Sequence, residues 1–162
     1  IATDIRASNS DLFRQFWTEG AENKHKSENS CRDALLAMLR GHLEPLGIDS
    51  QPEFDYVNDK RADIRVSYRN TIIVPIEIKG EWHPELWTAV QNQLIPQYTR
   101  QQATDGFGVY LVIWIGGSEQ PTTRDKGRRP TSPSDLESRL HNHLPKADQQ
   151  RIAVRVLDVT RP

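Results

Sequence analysis

The chain has 162 residues, 36% hydrophobic and 27% charged, which suits a single domain burying roughly 70% of its extended surface. Its dense apolar runs exclude disorder over the whole length, and the longest of them, residues 107–115, is far short of the ~20 apolar residues that a spanning helix needs. Twenty-one basic residues against twenty-two acidic ones leave a formal charge of −1, so any polyanion contact must be local, and the lone Cys31 excludes an internal disulfide or a zinc cluster.

The chain opens on Ile1 and not Met, and is expected to be a piece of a longer parent protein. No charged-then-apolar leader follows, so a cytoplasmic protein without membrane contact is expected. A first short helix is expected over residues 11–19, capped by Ser10, with Leu12, Phe13, Phe16 and Trp17 on one side. The polar stretch 20–26 ends it. In the second helix Cys31, Ala34, Leu35, Met38, Leu39, His42, Leu43 and Leu46 step by three and four, a core-facing stripe in which His42 reads as a core histidine. Ser27 or Ser30 caps this helix and Gly47 ends it.

Residues 51–57 form a weak strand. Residues 62–68 alternate, with Ile64, Val66 and Tyr68 on one face and Asp63, Arg65 and Ser67 on the other. A turn at Arg69-Asn70 leads into a β-branched strand over 71–79, stopped by Gly80. A helix is expected over 84–102, with Pro84 in its first turn, Leu86, Val90 and Leu94 inward, and a kink at Pro96. The run 107–115 is apolar on both faces, as a central strand should be. A Pro- and Gly-rich loop (116–130), a helix begun by Ser132 and Pro133, and a strand carrying Ile152, Val154 and Val156 complete the chain. The fold class is α/β, an αβββαβ core with a mixed central sheet flanked by helices. Residues 1–26 form an N-terminal helix and linker, and 27–162 form one domain. The strand, helix, strand passage from 71 to 115 implies a right-handed parallel crossover.

Glu77 and Lys79 lie two apart on one strand and share a face, opposite Ile76 and Ile78. A turn centred on Asn70 pairs residues whose numbers sum to 140. That register puts Ile64 against Ile76, Val66 against Val74 and Asp63 against Glu77, with Cβ atoms roughly 5 Å apart. A one-residue slip would turn Asp63 into the core. Two carboxylates that close need a cation or a shared proton, and an oxygen-only set beside a lysine suits Mg²⁺ or Mn²⁺. Such a site hydrolyses phosphodiesters, with Lys79 orienting the attacking water or stabilising the pentacovalent charge. Glu28 extends the inward stripe of the second helix by a turn and adds an acid. Gln93 and Gln97 share a helix face beside Tyr98, and suit phosphate or base-edge contacts.

Arg61-Ala62-Asp63-Ile64, then Pro75-Ile76-Glu77-Ile78-Lys79-Gly80, then Gln93-Leu94 and Tyr98, together with the element order from 27 to 115, resemble the PD-(D/E)xK, or restriction-endonuclease-like, nuclease superfamily. The resemblance implies that Asp63 and Glu77 bind Mg²⁺ with the Ile78 carbonyl, and that Lys79 is the catalytic lysine. It matches Glu28 to the acid that many members carry on the first core helix. Gln93 and Tyr98 resemble a glutamine and tyrosine of the following helix, although here four residues separate them and Gln97 fits the spacing no better. DNA is the substrate that the resemblance implies, cut by the effector module of a bacterial defence, repair or toxin protein. A homodimer would suit the cutting of two strands.

Other readings compete. Asp63, Glu77 and Lys79 also suit an ordinary cross-strand ion pair, and Glu28 a first-turn acid favoured by the helix dipole. The same scaffold also serves as a catalytically inactive binding module or an RNA-cutting toxin. Arg124, Lys126, Arg128 and Arg129 are the local candidates for phosphate contacts, or else a solvated loop. Trp82 and His83 follow the Glu-x-Lys strand, at the mouth of the site or over the core. His141-Asn142-His143 lacks the ββα context of a His-Asn-His nuclease.

Overall fold

The protein is described from a computed structural model, for residues 1–7, 11–20, 24–56, 60–69, 71–99, 104–116, 119–121 and 128–161. For residues 53–56, 60, 61 and 98 the backbone alone is described. The expected Ser10 cap, the Asn70 turn residue, and Arg124 and Lys126 lie outside these residues.

Helix α1 (Ala2–Arg6) and a 3-10 turn (Leu12–Phe16) precede helix α2 (Glu28–Leu43). Strands β1 (Ile48–Tyr56), β2 (Lys60–Tyr68) and β3 (Ile72–Gly80) follow, then a π-helix (Val90–Thr99), β4 (Gly108–Trp114), helix α3 (Pro133–Asn142) and β5 (Ile152–Asp158). This is an α/β fold whose five-stranded mixed sheet runs in the order β1-β2-β3-β4-β5, packed against helices. The β1–β2–β3 meander is antiparallel, and β4 and β5 add in parallel. The β2–β3 register pairs Ile64 with Ile76 and Val66 with Val74, as the alternation requires. β4 is the expected central strand, and the crossover from β3 is parallel.

Two cores result. Cys31, Leu35 and Leu36 of α2 pack with Ile64, Ile76, Ile78 and Ile113, and Ile5, Phe16 and Trp17 join this cluster from the N-terminal segment. The second holds Leu86, Val90 and Leu94 with Tyr110, Val112, Leu136, Leu140 and Val154.

Four expectations are corrected. The first helix is a short 3-10 turn followed by an isolated bridge from Trp17 to His25, because its four apolar residues anchor a turn and not a stripe. His42 is no core residue: it is exposed and hydrogen-bonds the Met38 carbonyl and the Asp4 carboxylate. The stripe of α2 is covered over its first turns only, and Leu46 beyond it is 66% exposed. The crossover helix is turns through 84–88 and then a wide π-helix. Pro96 lies inside it, where a missing N–H disfavours a regular α-helix. No helix among the described residues is long and apolar enough to cross a membrane.

Candidate active site

The candidate site is assembled at the C-terminal end of β3. The last β2–β3 pair in that direction is Ile64 with Ile76, and one residue further on Asp63 turns its carboxylate onto the neighbouring strand. Its Oδ2 accepts a 2.7 Å hydrogen bond from the Ile78 N–H. Glu77 and Lys79 share a face of β3, so the Lys79 ammonium reaches Glu77 Oε1 at 2.7 Å. Both are buried. Ser27 caps α2 by accepting from the Ser30 N–H, which sets the first turn of the helix against the end of β3. From that turn Glu28 accepts the Gly80 N–H at 2.9 Å through Oε2 and lies 3.6 Å from Lys79 through Oε1. The structure thus brings Asp63, Glu77, Lys79 and Glu28 together, although the β2–β3 ladder stops at Ile64 and Ile76, one step short of the expected Asp63–Glu77 pair.

Burial costs a charged carboxylate its hydration, and here two of them are adjacent. Glu77 is pushed up to about 7, by burial first and then by the Asp63 charge, and Lys79 offsets only part of this. Asp63 is raised too, by burial, against the pull of the Ile78 N–H, Lys79 and Arg32. Burial disfavours the Lys79 cation, yet Glu77, Glu28 and Asp63 together raise its pKa. Tyr110 pairs with Glu77 across β4 and gives its hydroxyl proton to the Leu86 carbonyl at 2.7 Å. Burial, with the charges of Glu77, Glu28, Glu85 and Asp63, holds that phenol neutral well beyond its ordinary range. Cys31 is pushed up to about 12 by burial and is an inert thiol of the core.

An oxygen-only divalent ion fits this donor set. Asp63 Oδ1 and Glu77 Oε2 carry no hydrogen bond among the described residues, which leaves one oxygen of each buried acid for a cation. No three His, Cys, Asp or Glu side chains among the described residues form a ready cage. Magnesium needs none, since one or two carboxylates with water and substrate oxygens complete its shell.

Of the outer candidates, Gln93, Gln97 and Arg128 make hydrogen bonds to partners outside this cluster. Gln93 donates to Glu85 Oε2 at 2.7 Å, and Gln97 donates to the Asn92 carbonyl of its own helix. Tyr98 lies near the end of the π-helix, and its side chain is outside the description. Arg128 and Arg129 are exposed, and the Arg128 carbonyl accepts from Arg139. His83 Nδ1 accepts the Glu85 N–H, as a cap at the start of the crossover. Trp82 covers Gly80 so closely that a Cβ there would lie 2.3 Å from the indole, and His25 stacks on the same ring. His141 and His143 bond to main-chain carbonyls in the α3 region.

Sequence reasoning missed three charged residues. Glu81 is fully buried and accepts from the Ile115 N–H and from Gln120, tying the ends of β3 and β4 together. Arg32, four residues after Glu28 on α2, acts on Asp63 through its charge. Glu85 holds Gln93. The i, i+4 spacing of Glu28 and Arg32 was a readable signal, whereas Glu81 sits beyond the strand pattern and gave none.

Two clefts, of about 520 and 440 Å³, lie away from Asp63, Glu77 and Lys79. No curated protein and no solved structure matches the chain. One family matches residues 5–117, more than half of the sequence and the span from the end of α1 through β4, so the chain belongs to the family described as Domain of unknown function (DUF8371).

Proposed function

We propose that this chain is a metal-dependent nuclease domain of the restriction-endonuclease-like type, hydrolysing DNA phosphodiester bonds as the effector module of a larger protein. The observation that carries the reading is the buried Lys79 ammonium, held between Glu77 and Glu28, beside an Asp63 pinned to the next strand. Buried ion pairs of this kind add little net stability, so stability alone does not explain the arrangement. The αβββαβ order of the elements from α2 to β4, with acid and lysine on the second and third strands, supports the finer fold assignment.

Asp63 and Glu77, with the Ile78 carbonyl, would hold Mg²⁺, and Mn²⁺ would substitute. When bound, the ion supplies Lewis acidity toward a phosphoryl oxygen and acidifies water. Lys79 has three N–H donors; one is given to Glu77 at 2.7 Å, and Glu28 holds the ammonium as an ion pair at 3.6 Å. A remaining donor would serve the attacking water or the charge that develops on the phosphoryl oxygens. Glu28 fixes the lysine and the Gly80 N–H in one place, so the cation is set before substrate arrives.

The test is cleavage of plasmid, linear duplex, single-stranded DNA and RNA with Mg²⁺, Mn²⁺ or EDTA. Wild type runs beside Asp63→Ala and Lys79→Ala, with folding followed by circular dichroism. Metal-dependent cutting of DNA is expected, and each folded variant should lose roughly a hundredfold or more. Cutting of RNA alone would reassign the substrate. Neither cutting nor Mn²⁺ binding would refute the nuclease reading and leave a binding module.

A further inference from the structure

We infer that the cleft at the opposite end of the sheet is a docking groove for an acidic peptide segment of a partner protein. It lies where β3, β4 and β5 begin: Ile72, Gly108 and Ile152 are the first residues of those strands and all line it. Its volume is about 440 Å³. Ile72 is 58% exposed and Phe107 45%, two of the three large apolar side chains that the described residues leave most open. Both line this cleft, together with Val74 and Val109. Contiguous apolar surface of this kind marks a contact site more often than a solvated face.

Charge identifies the occupant. His141, Arg151 and Arg155 line the groove, and no Asp or Glu does so among the described residues. Arg151 is exposed and makes no ion pair among the described residues, while Arg155 is shared with Glu137 at 3.4 Å. A cationic rim around an apolar floor complements carboxylates flanking one or two large apolar side chains. Nucleic acid fits less well, because Phe107 is the one phenyl or indole ring in the lining and two arginines make a short phosphate track. From Ile72 to Lys79 the strand spans roughly 23 Å, so a bound segment leaves the candidate active site open.

A randomised short-peptide library displayed on phage, selected in parallel on the intact chain and on Phe107→Asp, tests this. Folding is checked by circular dichroism, and Ile72→Asp replaces the variant if Phe107→Asp does not fold. Peptides rich in acidic residues around a large apolar one should enrich on wild type only. A synthesised selected peptide should bind Arg151→Glu roughly tenfold more weakly by fluorescence anisotropy, about 1.4 kcal/mol. No enrichment, equal enrichment on the variant, or enriched peptides without acidic residues would overturn the inference. So would a dimer in sedimentation velocity that Phe107→Asp abolishes, which would give the groove to a second copy, or duplex DNA displaced by Arg151→Glu.

Discussion

Glu77 carries a cost that a cation would remove. Its carboxyl ionises at about 7 in the folded chain, through burial and the neighbouring Asp63, against 4.5 for an unperturbed glutamate. Between those values the unfolded chain gives up this proton while the native one keeps it, so rising pH favours unfolding. The contribution is intact below about 4.5 and lost by about 7. Asp63, raised in the same direction, adds to it, whereas Lys79 stays protonated in both states over that window. In EDTA the wild-type Tm should therefore fall between pH 4.5 and 7 by on the order of 5 °C more than that of Glu77→Gln, followed by thermal circular dichroism. Millimolar Mg²⁺ should flatten the wild-type decline, since metal favours the ionised acid. Equal slopes for wild type and variant would show that Glu77 does not titrate in this range. The four inner residues were legible because strand alternation and a turn fix which side chains meet. Glu81, Arg32 and the Gln93–Glu85 bond were not, because each depends on where a helix or a strand end lands in space.

At the level of elements, the sheet edges decide what else can pair with this molecule. β1 carries Pro52, which has no N–H to offer a further strand. On β5 the Val156 N–H is taken by Glu137 of α3 at 2.8 Å, and the Val154 carbonyl by the Arg155 guanidinium at 2.7 Å. Leu136 and Leu140 are buried four residues apart, which sets α3 on the sheet and brings Glu137 to the strand. Glu137→Ala should cost about 1–2 kcal/mol in urea denaturation, as expected for removing the acceptor of a strand N–H. Glu137→Gln keeps an acceptor and should lose less than half as much. Equal losses would mean that the side chain acts through packing or charge. β2, β3 and β5 were readable from period-two alternation, including the register of β2 on β3, and β4 from its unbroken apolar run. The crossover was not, since Leu86, Val90 and Leu94 fall at spacings that suit an α-helix, and nothing in that spacing announces the wider turn around Pro96.

On the scale of the whole molecule, one sheet separates two cores and the candidate site touches both. Ile78 anchors β3, which carries Glu77 and Lys79, in the α2 core, while Tyr110, paired with Glu77, is buried in the other core and bonded to Leu86. Trp17 belongs to the first core and its indole donates to the Val159 carbonyl at 2.7 Å, which closes the N-terminal segment onto the end of β5. A sheet shared in this way cannot lose one layer and keep the other, because β2, β4 and β5 supply side chains to both. Leu35→Ala in the first core and Leu140→Ala in the second should each cost about 2–5 kcal/mol, the usual range for a buried leucine. Both should still unfold in one step, with tryptophan fluorescence and far-ultraviolet circular dichroism giving the same midpoint in urea. If Leu140→Ala instead uncoupled the two probes, the α3 layer would be a separately melting unit. The α2 layer would then hold Glu28, Lys79 and Asp63 without it.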